Sequence, residues 1–500
     1  YKVAIALVEE DSVSGGQILN DTGGVIDFRG ERSIGLYTYL PNYTSDRPMI
    51  NKGKIYLSGR ESYGIKLGAT TIAAGIDILN DNNAEINLRK NPAPGGTDTA
   101  DNSVGIALME DATVANNVNL ASGKAKNKGN INITDVKNSV GTFINIDSDI
   151  TNEGKIAINS VIATAGTGEK QAYNIGMRSD KGTGKGGSTN VASNAKVINA
   201  NTTGKITLKG KYAIGMLSDG ANAENHGDIL TDTSSSGNII NGIGMYGADG
   251  AAVKNSGKIE LDGTTADDAS NIGIFANSGS QVELLAANPP AVATTSDITV
   301  KGNNSTGLLV TGKKGTTFSK ITLNGKVQTY GNGVIGAVAN GAEITEASSN
   351  VASGSTIKVR AYNGTDAAGE SGTGDNKKGS YGVVVKNTVS GGNAERGKFT
   401  SKDVLIDVKV KGAKSIGMYS EGDLKAKKVN IETEDQAINF FANKHSGSGM
   451  TIGEIEIGEA GYTTPNTAKT GQKSLLFYSE NGGKIKHTKK KHQTITITIF

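Results

Sequence analysis

Along most of this chain apolar residues recur at alternate positions in short segments, each closed by a glycine or an Asn/Asp-Gly turn, after which the pattern restarts. The copy from Gly204 to Gly227 is compact: Ile206 and Leu208 form a first apolar pair, Ile214 and Met216 a second, and Ala221 with Ala223 a weaker third. A period of two belongs to a strand with one buried face. Three short strands followed by a restart therefore predict a stacking unit rather than a self-contained domain.

The second segment can be followed through Ser33-Ile34-Gly35-Leu36-Tyr37, Tyr63-Gly64-Ile65, Ser103-Val104-Gly105-Ile106, Ser139-Val140-Gly141, Asn174-Ile175-Gly176-Met177 and Ala213-Ile214-Gly215-Met216. It continues at Gly242-Ile243-Gly244-Met245-Tyr246, Asn271-Ile272-Gly273-Ile274-Phe275, Ser305-Thr306-Gly307-Leu308, Tyr381-Gly382-Val383 and Ser415-Ile416-Gly417-Met418-Tyr419. First-segment copies begin with Asn-x-Gly at Asn51, Asn127, Asn152 and Asn255, and later copies are read at Asp297–Val300, Lys320–Leu323 and Glu454–Ile457. The Asn and Gly are expected at a tight corner because both tolerate positive φ. Irregular spacing between the glycines, from about 29 residues upward, fits a solenoid whose corners accept insertions.

The expected fold is all-β, a right-handed parallel β-helix or three-strand solenoid with corner-loop insertions. Roughly fourteen coils at about 4.8 Å each would make a continuous rod of about 65–70 Å. A chain of 500 residues exceeds a single globular core, and an array that grows in one dimension resolves that difficulty. Both ends of 1–500 alternate like strands, at Tyr1 to Leu7 and Thr494 to Ile499, so the chain is expected to be one continuous rod cut from a longer one.

Insertions at Asn91 to Asn102, Asn159 to Tyr173, Thr231 to Asn238, Asp262 to Ser270, Ala361 to Gly379 and Gly458 to Lys473 are expected between first and second strands. They would then project from one corner, a common binding arrangement in repeat proteins. A second set, Ser179 to Thr203 and Leu285 to Ser296, is expected to follow the second strand. If Ile416 and Met418 point inward, Gly417 and Tyr419 point outward, and Tyr37, Leu217, Tyr246, Phe275 and Leu309 share the outer side. An exposed apolar stripe of this kind is a candidate partner groove; the preferred reading of these rings is that each lies over a neighbouring glycine beneath a corner loop.

Composition narrows the chemistry. A net charge of +3 with 20% charged residues points to neither nucleic acid nor an anionic membrane. The chain has no cysteine, and a stack of coils needs no disulfide staple. Gly182 to Gly187 spells Gly-x-Gly-x-x-Gly without a following helix, and at Gly307 to Lys313 the position after the lysine is Lys314 rather than Ser or Thr. Neither suits a phosphate site, and the second reads as strand and turn. His226, His445, His487 and His492 have no partner at metal-ligand spacing, so no metal or cofactor is expected. Carboxylates at Asp267-Asp268 and at Asp366 with Glu370 leave an enzymatic alternative, a polysaccharide lyase or glycosidase acting in a groove.

Repeated Asn-x-Gly-x-Ile-x-Leu followed by Ser/Asn-Ile-Gly-Met-Tyr, with Gly-Ala-x-Val-x-Asn between, resembles the passenger regions of the very large type V autotransporter adhesins of fusobacterial kind. The resemblance spans about Ser33 to Tyr478 and its motifs specify a fold better than a ligand. It implies display on the surface of a Gram-negative bacterium, with membrane attachment only through a C-terminal β-barrel outside this sequence. Members include a galactose-inhibitable adhesin that binds host glycans and an immune receptor, and an arginine-inhibitable adhesin that binds other bacteria. The expected function is thus attachment to a host glycan or protein receptor, or to partner bacteria, by a monomeric, non-enzymatic passenger. A passive stalk carrying a distal head is the other alternative. No binding motif of the family maps onto this chain, and the candidate ligand residues are Tyr362, Asn363, Asp366, Glu370, Asp375 and Asn376, an aromatic plate beside acidic and amide groups suited to a sugar or a basic side chain.

Overall fold

In this computed structural model the described residues are 2–8, 17–40, 49–69, 75–93, 96, 98–109, 123–160, 173–182, 194–232, 238–264, 269–285, 295–349, 351–361, 364–365, 371–372, 379–390, 393–412, 414–434, 436–444, 452–458, 467–470, 474–487 and 496–499. The fold is a right-handed parallel β-helix in which each coil places one strand in each of three parallel sheets, in the repeating order second, third, first. Two compact units are present, Tyr1–Ile239 with Ala251–Val253, and Ile240–Gly250 with Lys254–Phe500.

In the first unit the second-strand sheet runs Lys2–Val8, Ser33–Leu40, Tyr63–Ala69, Val104–Met109, Val140–Ile144, Asn174–Asp180 and Ala213–Asp219. In the second unit it runs Ile243–Ala248, Ile272–Ala276, Thr306–Thr311, Ile335–Asn340, Tyr381–Lys386, Ile416–Ser420, Ile438–Ala442 and Leu475–Ser479. The core of each unit is a set of columns along the stack. In the first unit Ile55, Ile86, Ile131, Ile156, Ile206 and Ile229 lie one above another, and all six are completely buried. Burial of each such side chain stabilises the stack by about 1.5–3 kcal/mol. The second unit repeats the column with Ile259, Ile298, Val327, Ile357 and Ile406.

The corner asparagines have a different purpose from the one their type suggests. Asn51, Asn80, Asn127, Asn152 and Asn199 are fully buried. From Asn20 to Asn225 each side-chain amide donates to the Oδ1 of the asparagine in the next coil at 2.7–2.8 Å. Residues that do adopt left-handed φ are others, such as Asn83 (φ 66°) and Asn138 (φ 52°). Gly53, Gly129 and Gly154 are likewise required by crowding, since a side chain there would run into the carbonyl oxygen of Gly24, Ala84 or Gly129 respectively.

The second-strand glycine also differs from expectation. A β-carbon on Gly417 would sit 2.6 Å from Cγ2 of Ile431, a fully buried first-strand residue, and 2.6 Å from the carbonyl oxygen of Asn439. Gly417 therefore faces the interior, not solvent. Met418 is also inside, fully buried, so alternation breaks at the glycine. The position before it lies on the outer side: Ile416 keeps 6% of its surface, and Tyr63, Ile272, Thr306, Ile335 and Tyr381 are only half-buried there.

Two assignments of strand order change. Lys320–Leu323 and Glu454–Ile457 belong to the third-strand sheet, and the first strands of those coils are Lys326–Tyr330 and Thr467–Thr470. Ile-x-Leu alternation is common to every strand with one buried face, so only the neighbours in the stack distinguish the sheets. In consequence Gly458 to Lys473 is not one first-corner insertion, because the strand Thr467–Thr470 runs through it. Ser179 to Thr203 contains the third strand Lys196–Asn199, and Leu285 to Ser296 follows a third strand, Gln281–Leu284.

Candidate apolar face on the second-strand sheet

The outward column two residues after the motif glycine is the site that the stack assembles. In the second unit the register aligns Tyr246, Phe275, Leu309, Val338, Val384, Tyr419, Phe441 and Tyr478 in adjacent coils. Every residue of this column is apolar or aromatic. Most are half-buried, with Val384 nearly covered at 4% and Tyr478 open at 38%. A parallel register fixes this arrangement, because each coil presents the same position to the same side at one strand spacing.

The rings do not lie over glycines; they lie on the next residue of their own column. Tyr246 stacks on Phe275 with centroids 4.7 Å apart and planes 6° from parallel. Phe441 meets Tyr419 at 5.2 Å and Tyr478 at 4.9 Å, both edge-on. The Tyr419 hydroxyl donates to Oε1 of Glu421 at 2.5 Å. Burial, and then that carboxylate, push the Tyr419 phenol well above its usual range, and burial raises Tyr381 as well. Both phenols are thus neutral hydrogen-bonding groups at neutral pH.

The other two faces of the same coils show what an ordinary outer surface looks like here. On the third-strand sheet one outward column reads Lys320, Glu343, Lys398, Asp423, Glu454, Lys484. Opposite charges alternate along most of it, and Lys398 reaches Glu343 at 3.0 Å. On the first-strand sheet Glu260, Thr299, Gln328, Lys358, Asp407 and Asn430 succeed one another. Glu260 accepts from Lys258 and Lys301 at 2.7 and 3.0 Å, and these bonds, led by Lys258, lower its carboxyl pKa.

In the first unit the equivalent column is interrupted by cations: Ala6, Tyr37, Lys66, Ala107, Phe143, Arg178 and Leu217. Lys66 Nζ lies 5.0 Å from the Tyr63 ring centre, and the Arg178 guanidinium lies 5.7 Å from that of Phe143 while binding Asp180 through two bonds of 2.7 Å. A continuous apolar column is therefore particular to the second unit.

Tyr362, Asn363, Asp366, Glu370, Asp375 and Asn376 all lie outside the described residues, as do Asp267, Asp268, His445, His492 and the stretch from Thr183 to Gly187. Thr306–Thr311 is a strand, and Lys313–Lys314 opens a hairpin with Thr317–Phe318, as expected of that glycine-lysine stretch. His226 Nε2 is 3.4 Å from Glu224 on the same short strand and its loop. Of the column, Tyr246, Phe275, Leu309 and Tyr419 are visible from the sequence pattern. Phe441 and Tyr478 are not, because Asn439 and Leu476 stand where the motif glycine would be. No protein-family model, curated protein or solved structure matches this chain.

Proposed function

We propose that this chain is an adhesive segment of a bacterial cell-surface passenger, attaching to a host glycan or protein receptor or to partner bacteria through the outward apolar column of its second unit. The observation that carries this reading is the contrast between faces: the Tyr246 to Tyr478 column is uninterrupted and apolar, while the other two faces of the same coils carry paired charges and amides. Apolar surface retained on one face alone marks an interaction site. Aromatic rings flanked by the Tyr419 hydroxyl and Glu421 can stack on a ligand's apolar side and hydrogen-bond to its rim.

The test is binding of the purified chain to a glycan array, to host cells and to co-aggregating bacteria, with galactose and arginine as competitors. Attachment that Phe275→Ala and Tyr419→Ala both abolish is the expected result. Attachment that survives both variants, or release of oligosaccharide from the array, overturns it.

A further inference from the structure

At the corner between second and third strands of the second unit, two hairpins reach past their neighbouring coils. The first, Lys313–Lys314 paired with Thr317–Phe318, leaves the coil whose second strand is Thr306–Thr311. It passes over Gly279, whose absent side chain leaves room for Lys314. Lys314 Nζ then binds Asp249 at the end of Ile243–Ala248, with 2.7 Å to Oδ1 and 3.0 Å to the carbonyl oxygen. The coil of Ile272–Ala276 lies between them in the sheet.

The second hairpin, Thr388–Ser390 paired with Asn393–Glu395, follows the same logic. It leaves the coil of Tyr381–Lys386 and crosses Gly341, where any side chain would collide with Thr388. Glu395 is 3% exposed, and its Oε1 lies 2.8 Å from Lys313 Nζ on the first hairpin. The intervening coil is that of Ile335–Asn340. The next residue, Arg396, pairs with Asp423 and also donates to the carbonyl oxygen of Ile452 at 3.4 Å, beyond the coil of Ile416–Ser420.

We propose that these hairpins form an ionic strap that couples coils having no strand pairing with one another, so that this corner of the second unit opens as one body rather than coil by coil. In a solenoid each repeat is normally held only by its immediate neighbours, and local opening can begin anywhere along the stack. Asp249–Lys314 and Lys313–Glu395 each skip one coil, and a skipped coil cannot open without breaking them. Two glycines, Gly279 and Gly341, provide the channel in which the strap lies.

Native-state hydrogen exchange on the full chain tests this. In Glu395→Gln, the third-strand amides of Lys320–Leu323 and Glu343–Glu346 are expected to exchange roughly tenfold faster than in the parent chain. The amides of Val429–Glu434, away from the corner, are expected to be unchanged. The charge exchange Lys313→Glu with Glu395→Lys is expected to restore slow exchange. Should Glu395→Gln not fold, the parent chain compared at about 0.1 and about 1 M NaCl gives an independent readout, because the half-exposed Lys314–Asp249 pair is screened at high salt. Faster exchange confined to the hairpins, or acceleration in neither experiment, overturns the proposal.

Discussion

Tyr246 and Phe275 occupy the same position in successive coils and lie face to face, 4.7 Å between ring centres. Their contact ties the sequence to the outer face, because neither residue is part of the buried core and that face exists only when the coils are in register. An aromatic pair of this kind contributes about 0.5–1.5 kcal/mol beyond area burial. Phe275→Ala is therefore expected to lower unfolding stability by about 1 kcal/mol in addition to the loss of its buried apolar area, while removing attachment to the target. Urea unfolding beside a cell-binding assay checks both.

Crowding, not backbone conformation, explains the second-strand glycines. A β-carbon at Gly141 would sit 2.5 Å from the Gly176 carbonyl oxygen and 2.9 Å from Ile156 Cγ2, whereas Gly23 has open space but φ of 84°. Gly23→Ala should cost about 1–2 kcal/mol from left-handed strain. Gly141→Ala should cost more, at the upper end of or beyond the roughly 1–3 kcal/mol of overpacking, because backbone rather than a flexible side chain must shift. Denaturant midpoints of the two variants decide the order.

The amide column of the first unit makes each asparagine both donor and acceptor. Removing Asn152 leaves Asn127 Nδ2 without its 2.8 Å acceptor and Asn199 Oδ1 without its 2.8 Å donor. Asn152→Ala is expected to destabilise by about 1–3 kcal/mol for each orphaned group. Asn152→Asp should fail as well, since a carboxylate cannot donate onward. Unfolding followed by circular dichroism measures both.

Alkaline pH provides a fourth test. The Tyr419 phenol is raised by burial first and by Glu421 second, so the folded chain holds its proton more tightly than the unfolded one. Its contribution is complete below the ordinary phenol value of about 10 and is lost as pH rises above it toward the folded value. Stability should thus fall above about pH 10, and less so in Tyr419→Phe. Denaturant unfolding between neutral and alkaline pH, beside phenolate absorbance, would register the difference.

Much of the architecture is legible in the sequence because its signals are local. Ile206 and Leu208, or Ile259 and Leu261, alternate with polar neighbours, and that period alone defines a strand with one buried face. Other features are invisible locally. Lys320–Leu323 has the alternation of a first strand yet lies in the third-strand sheet, and Asn51 looks like a turn residue yet serves as one rung of a buried amide column. The candidate loop residues from Tyr362 to Asn376 fall outside the described residues. The outer column is partly legible: Tyr246, Val384 and Tyr419 stand two residues after a motif glycine, whereas Phe441 and Tyr478 have no such glycine and emerge only through register.

The sequence by itself determined that the chain is all-β and repeats in three short strands, because period-two burial and closely spaced turns act within a few residues. The tertiary structure decided which sheet each strand joins, which way each glycine faces, and which outer residues form one surface. Those depend on contacts between positions 25 to 47 residues apart in the amide column and up to 82 apart in the strap, between Lys313 and Glu395. No local preference encodes such contacts; only the stacking of one coil on another creates them.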